Sequence, residues 1–197
     1  MSENMASAPL EPTSLGVDNR KLAILTLIGS EVMFFSALIV TYIVMHGKSI
    51  SGPQPRDVLD VPLTGVNTFI LICSSLTMVT ALAAIQRGDG RALRRWLIAT
   101  IVLGLGFLVG QAVEFTILGQ HGLSLSANLF GASFFTLTGF HGAHVLVGII
   151  WITFLLVRAF RGGVTQNNHI AIELVGLYWH FVDIVCIIIF TIVYLIE

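Results

Sequence analysis

Two histidines stand three residues apart in the middle of a long apolar segment, FFTLTGFHGAHVLVG, which covers residues 134–148. At that spacing His141 and His144 fall on one face of a helix. Ionisable side chains at membrane depth are rare and usually face a bundle interior or a cavity. The pair is therefore a candidate for metal or haem ligation, for proton relay, or for hydrogen bonding between helices.

Three more ionisable side chains lie deep in apolar segments: Glu31 in LIGSEVMFFSAL, and His180 and Asp183 in YWHFVD. At 1.5 Å per residue, Glu31 and His180 each lie about 14 Å from the start of their segment, and Asp183 about 18 Å. By the same count His144 lies at about 20 Å, with His141 one turn further out. These depths predict one polar cluster between three helices, in which His180 and Asp183 can hydrogen-bond along their own helix.

Each of these groups has a structural and a functional interpretation. A carboxylate at the depth of Glu31 costs about 2.5–3.5 kcal/mol on insertion scales, so it is expected to be protonated, hydrogen-bonded or paired. It serves either proton or ligand access or helix packing. Paired haem ligation needs histidines on facing helices, and only His180 matches the depth of the 141/144 pair. Buried hydrogen bonding explains the histidines at least as well, and no metal site is predicted.

A fourth acidic group, Glu114, follows Gly106 and Gly110 at four-residue steps, which predicts a small-residue packing face that ends in a carboxyl group. Four glycines of the histidine-bearing segment also predict close helix packing: Gly131, Gly139, Gly142 and Gly148.

The composition is that of a membrane protein. Hydrophobic residues make up 55% of the 197 residues and charged residues 11%, with a mean hydropathy of +0.90, whereas soluble domains carry about 25% charged residues. The net charge of -1 argues against nucleic acid as a partner. Cys73 and Cys186 lie inside apolar runs without a CxxC motif, as expected of reduced thiols in a core.

Five apolar segments reach the roughly 20 residues that cross a bilayer. They lack the alternation of a β-barrel, so the predicted fold class is all-α: a polytopic bundle of five transmembrane helices. A flexible polar tail (1–21), not a signal peptide, precedes this domain (22–197), and the first loop is expected to be an ordered turn outside the membrane. The predicted spans are about 22–46, 64–86, 96–119, 128–157 and 171–196.

The basic residues of the connections predict the orientation. Eight lie on one side of the membrane and two on the other, which places the N-terminus in the cytoplasm and the C-terminus outside. Arg94 and Arg95 belong to this topology pattern, with contact to lipid phosphate as a second interpretation. The eight are Arg20, Lys21, Arg87, Arg91, Arg94, Arg95, Arg158 and Arg161; the two are Lys48 and Arg56.

From about residue 22 to its end, the chain resembles subunit III of the haem-copper terminal oxidases, in the short five-helix bacterial form. The resemblance rests on six motifs that occur in the family's order, with spans of the expected length between them. They are SEVMFF at 30–35, NT with SSLT at 67–77, RGDGRALRRW at 87–96, GQAVEF at 110–115, FFTLTGFHGAHVLVG, and YWHFVD at 178–183.

The resemblance implies a chain without cofactors of its own in the bacterial cytoplasmic membrane. Its partners would be oxidase subunits I and II, which hold the haems and copper, and bound phospholipid. It would support stability and proton or oxygen access of the catalytic subunit.

The family's motifs also imply roles for particular residues. Glu31 resembles the family's carbodiimide-reactive carboxylate, and Arg158 and His169 fall near positions that face lipid headgroups. His141, His144, His180 and Asp183 match the family's buried polar positions. Two departures, TALAA at 80–84 and Cys186 in place of a commoner tryptophan, affect local packing.

Three alternatives remain open from sequence. The electron donor of such an oxidase is cytochrome c, which the NT and RGDGRALRRW segments favour, or a quinol. A small membrane cytochrome b would use His141, His144 and His180 as haem ligands. A transporter is disfavoured because inverted repeats and broken helices are not apparent.

Overall fold

A computed structural model describes residues 18–48 and 61–195, and these residues form an all-helical bundle. Five helices are long and apolar enough to cross a membrane, which confirms the predicted fold class. Residues 1–17 of the predicted tail, residues 49–60 of the first loop, and residues 196–197 lie outside the described part. The helices are α1 (Asn19–Met45), α2 (Val61–Gln86), α3 (Gly90–Gln120), α4 (Leu129–Phe160) and α5 (Ile170–Phe190), which ends in a π-helical turn (Thr191–Leu195).

Short polar side chains mark where three of these helices begin. Asp18 accepts a hydrogen bond from the Arg20 amide, so α1 starts inside the segment predicted as a tail. Asp89 accepts from the amides of Arg91 and Ala92, and Asn128 accepts from that of Gly131. These caps satisfy amides at helix starts that have no partner within the helix.

Helices α2, α3, α4 and α5 form a four-helix ring in which each packs against its two neighbours, and α1 lies outside the ring against α4 and α5. Burial follows this arrangement. In the most apolar stretch of α5, 56% of residues are buried, against 11% for α1. The outer helix therefore presents most of its apolar surface to its surroundings, as a helix facing lipid or a neighbouring subunit does.

Trp179 of α5 occupies the middle of the ring and is fully buried. Its indole N–H donates to Ser74 Oγ of α2 at 2.9 Å. Two glycines make room for the ring: a Cβ built at Gly104 of α3 or at Gly148 of α4 would lie 3.0 or 2.8 Å from indole carbons. Small residues thus let α3, α4 and α5 approach closely, as in other membrane bundles.

Of the four glycines predicted to pack closely in α4, three do so. Gly148 faces Trp179, Gly142 faces the side-chain amide of Gln111, and Gly131 faces the Ser124 carbonyl. The expectation is wrong for Gly139, because a Cβ built there meets no atom of the described residues within 4 Å. Cys73 and Cys186 are free thiols in the bundle.

Candidate functional site

Glu31 of α1 and His144 of α4 form an ion-pair contact across the helix interface. Glu31 Oε2 lies 3.1 Å from His144 Nε2, and the two side chains are 23% and 18% exposed. The depths counted from sequence placed these two groups near one level, and the structure brings them together. This contact is the main polar link between α1 and the four-helix ring among the described membrane-embedded residues.

The hydrogen bonds of His144 determine where protons sit in this contact. His144 Nδ1 lies 2.7 Å from the Phe140 carbonyl oxygen, which can only accept, so Nδ1 carries a hydrogen. A bond between Nε2 and a carboxyl oxygen then requires a second proton, held by the imidazole or by the carboxyl. One proton therefore lies between Glu31 and His144. The pair has no net charge, whether the carboxyl group or the imidazole holds that proton.

Aromatic side chains enclose one side of this pair. The Phe35 ring packs edge-on against His144 at a centroid distance of 4.9 Å, and Phe34 lies 6.0 Å from it. Tyr178 of α5 donates its hydroxyl to the His144 backbone carbonyl at 3.1 Å. The pair therefore sits where three helices meet, with low-dielectric surroundings that strengthen its electrostatic attraction.

The expectation of a single five-membered polar cluster is wrong. His180 Nδ1 instead bonds Ser75 Oγ of α2 at 2.5 Å. Neither Asp183 oxygen makes a hydrogen bond within the described residues, so the predicted bond from His180 to Asp183 along α5 does not form. Equal depth does not imply contact, because these residues point to different sides of their helices.

His141 is separated from His144 in the same way. Its side chain is buried inside the ring, and neither ring nitrogen has a hydrogen-bond partner among the described residues. Its neighbours include the rings of Phe107 at 5.6 Å and Phe35 at 6.4 Å. Three positions along a helix differ by about 60° in direction, which is enough to turn one imidazole inward and leave the other at the α1 interface.

Glu114 forms a second buried cluster inside the ring, near the end of the bundle where α2 begins and α5 ends. Its Oε1 accepts hydrogen bonds from Thr64 Oγ1 of α2 and Tyr194 Oη, each at 2.6 Å. The glycine stripe that precedes it packs on α2 as expected: Gly110 lies against the Asn67 side chain, and a Cβ at Gly106 would touch Ile70. The cluster ties α2, α3 and the end of α5 together.

Most of the basic residues considered for lipid contact lie at one end of the bundle, in different settings. Arg158 and Arg20 line a polar cleft of about 360 Å³ together with Asn168. His169 Nδ1 donates to the Gln166 carbonyl at 2.6 Å. The Arg94 guanidinium lies over the Phe160 ring at 5.3 Å. The hydrogen bond from the Ala92 amide is the main cause of the lowered pKa of Asp89, and the charge of Arg95 lowers that pKa further.

Several polar residues of the site were missed as candidates from sequence. Ser75, Tyr194 and Gln111 each bond a group on another helix, and Gln111 Nε2 donates to the Thr138 carbonyl at 2.7 Å. Gln111 lies in the GQAVEF motif, and Ser75 in the SSLT motif, so the signal was present. Tyr194 lies in no such motif.

Among the described residues, no group of three or more His, Cys, Asp or Glu side chains is arranged to hold a metal ion.

Comparison with known proteins agrees with these features. The sequence model of the family described as cytochrome c oxidase subunit III matches residues 13–197. The chain is 37% identical over 197 residues to cytochrome c oxidase subunit 3 of Alkalihalophilus pseudofirmus, covering 98% of this chain and 94% of that protein. It is 36% identical over 190 residues to quinol oxidase subunit 3 of Bacillus subtilis, covering 96% and 93%. It is also 40% identical over 171 residues to the probable cytochrome c oxidase subunit 3 of Mycobacterium tuberculosis H37Rv, covering 86% and 84%.

Proposed function

Because the chain belongs to the cytochrome c oxidase subunit III family, we propose that it serves a haem-copper oxidase as a subunit without a redox centre. The cofactors of such an oxidase lie in other subunits. The observation that carries the proposal is the use of the buried polar groups: Glu31, His144, His180 and Glu114 bond other helices of this chain. The role of the chain is then to support subunits I and II.

The Glu31–His144 pair is the part of this support closest to proton chemistry. It holds one shared proton near the middle of α1, whose outer face exposes Met33, Val40 and Ile43. Apolar surface of this kind suits a neighbouring subunit or lipid, and dissolved oxygen favours the same environment. The pair therefore stands beside the surface through which α1 would meet the catalytic subunit, and serves proton or oxygen access there.

The orientation follows from where the basic residues gather. Lys21 pairs with Glu173 at 2.6 Å, Gln166 donates to the Gln86 carbonyl at 2.7 Å, and Arg94 covers Phe160. The start of α1 and the α2–α3 and α4–α5 loops thus meet at one end. With the bias of basic residues, this end faces the cytoplasm of a bacterium, and the C-terminus faces outside.

The cleft between Arg20 and Arg158 suits the phosphate of a phospholipid headgroup. Its lining residues Arg20, Arg158 and Asn168 have side chains that carry positive charge and hydrogen-bond donors. Arg158→Gln should therefore leave at least one phospholipid fewer on the purified complex, as counted by mass spectrometry of extracted lipid. Arg161→Gln is the matched control because Arg161 ends the same helix outside the cleft. Equal lipid counts in both variants would remove Arg158 from this role.

The proposed electron donor is cytochrome c. The RGDGRALRRW segment and the relatives named cytochrome c oxidase subunit 3 support this choice, whereas the relative named quinol oxidase subunit 3 has a similar identity. Oxygen consumption by the purified complex with reduced cytochrome c, compared with a soluble quinol, decides between them.

Affinity purification through a tag on this chain tests the function itself. We expect haem-copper catalytic subunits to co-purify in equal amounts. Purification of the chain by itself with a stoichiometric haem absorption band would contradict the proposal and favour a small membrane cytochrome. His141 is only 3% exposed, and the space beside it is small. A haem needs far more room, which argues against that outcome.

A further inference from the structure

A small pocket lined by residues of α2, α3, α4 and α5 lies inside the four-helix ring. Its volume is about 30 Å³. Polar residues from all four helices line it, together with apolar residues that make up most of its surface. The wall includes Thr68, Gln111, Glu114, His141, Cys186 and Tyr194.

Most polar side chains of the wall already have partners in the protein. Thr138 Oγ1 donates to the Phe134 carbonyl at 2.7 Å, and Asn67 Nδ2 donates to the Phe107 carbonyl at 3.1 Å. Gln111 and Glu114 are bonded as described above. His141 differs, because both of its ring nitrogens are buried without a partner among the described residues. A buried imidazole with no hydrogen bond is costly, so the site selects for a ligand that supplies one.

We propose that this pocket binds one or two water molecules, which hydrogen-bond His141 and bridge it to the Glu114 cluster. The volume decides the number: a water needs at least about 10–15 Å³ of such space, so the pocket holds roughly two. A bound water also needs two to four polar partners, and the pocket offers an imidazole, an amide, hydroxyls and a carboxyl group. An apolar guest would leave His141 without a partner.

The glycine next to His141 helps to build the pocket. A Cβ at Gly142 would collide with the Gln111 amide, so glycine allows that amide to reach the Thr138 carbonyl across the helix interface. Bound water then links groups of four helices into one network, which consists of His141, water, Glu114, Tyr194 and Thr64. The network is distinct from the Glu31–His144 pair, which lies at the α1 interface outside the ring.

A density map of the intact complex, purified through a tag on this chain at a resolution that shows ordered solvent, tests the proposal directly. We expect a solvent peak about 2.7–3.2 Å from a ring nitrogen of His141. The peak should persist in Thr138→Val, because the Thr138 hydroxyl already donates to a carbonyl of its own helix. It should be lost in His141→Phe. An empty pocket, an apolar guest, or a direct protein partner for His141 would overturn the proposal.

Thermal stability gives a second readout that does not need a map of each variant. His141→Gln and His141→Leu have similar volumes, but only glutamine can bind water. If the pocket is hydrated, the complex with glutamine melts at a higher temperature than the complex with leucine. A higher melting temperature for leucine would mean that the pocket is dry, and the proposal would fall. The comparison holds whatever complex the chain joins, so it is independent of the oxidase assignment.

Discussion

Trp179 of α5 and Ser74 of α2 are joined by a hydrogen bond of 2.9 Å at the centre of the four-helix ring. The bond satisfies the only polar atom of the largest buried side chain, and Ser74 Oγ also donates to the Leu71 carbonyl at 2.5 Å. Two glycines from α3 and α4 enclose the same indole. One side chain thereby fixes the spacing of four helices, and this contact suggests the first experiment.

Gly148→Ala should destabilise the bundle by about 1–3 kcal/mol, because its new methyl group would overlap the rigid indole and α4 would have to move. The measurement is the temperature at which the purified complex loses this chain. Gly139→Ala, nine residues earlier on the same helix, is the control. A Cβ at Gly139 has open space, so the melting temperature of the Gly139→Ala complex should stay the same or rise slightly. An equal fall in this temperature in both variants would show that the indole contact does not limit packing.

Glu31→Gln should assemble normally but change proton pumping or the lifetime of the oxidase during turnover. The amide can still donate to His144 Nε2, whereas it cannot exchange the proton that the carboxyl and imidazole share. The checks are the proton-to-electron ratio and the decay of activity during turnover. Glu173→Gln, which weakens a partly exposed pair with Lys21, is the matched control. If both ratio and lifetime match the wild type, Glu31 is structural only.

His144→Leu should weaken association of the chain with its complex, because it leaves the Glu31 carboxyl half-buried without its partner. The haem and copper contents per catalytic subunit should stay unchanged. Metal analysis and the yield of co-purified chain provide the measurement. Stoichiometric loss of haem or copper would contradict the proposed role.

Tyr194→Phe should lower the free energy of unfolding by about 1–3 kcal/mol, because Glu114 would lose one of its buried hydrogen-bond donors. Tyr42→Phe is the control: the Tyr42 hydroxyl is also buried, but it has no partner among the described residues. Removing that hydroxyl should leave the melting temperature unchanged or raise it. A larger fall in melting temperature for Tyr42→Phe than for Tyr194→Phe would contradict a stabilising role of the Glu114 cluster.

Asp89→Ala should destabilise the start of α3, whereas Asp89→Asn should not at neutral pH, since asparagine also accepts hydrogen bonds at this position. The bound amides hold the pKa of Asp89 below its ordinary value. Its contribution is therefore present above the unfolded pKa and is lost as the pH falls through the folded pKa. Amide hydrogen exchange at Arg91 and Ala92 at several pH values would show this. Exchange that is equal in wild type and Asp89→Ala would rule out the cap.

Sequence predicted the helices well because membrane insertion requires long apolar segments, and the structure begins each helix within a few residues of the expected position, except α3. There Asp89 caps the helix at Gly90, earlier than the predicted 96, since arginines such as Arg91 and Arg94 extend a helix beyond the bilayer core. Depth counting placed Glu31 and His144 in the same slab of the membrane, and these two side chains are in contact.

The same counting could not separate His141, His180 and Asp183, because depth along a helix carries no information on which neighbour each side chain faces. Ser75 was overlooked as the partner of His180 for this reason. Partners on other helices depend on the packing rotation of each helix, which is set by contacts such as Gly148 with Trp179. That information is spread over residues far apart in the chain.

The contact between Glu31 and His144 joins residues that are 113 positions apart. At a synthesis rate of about 5–20 residues per second, Glu31 waits roughly 6–23 s before His144 has been made. During this interval α1 has neither its proton-sharing partner nor the α4 and α5 surfaces against which it packs. The helix α1 therefore stays without its partners until α4 and α5 have been made, and its early handling falls to the insertion machinery of the cell.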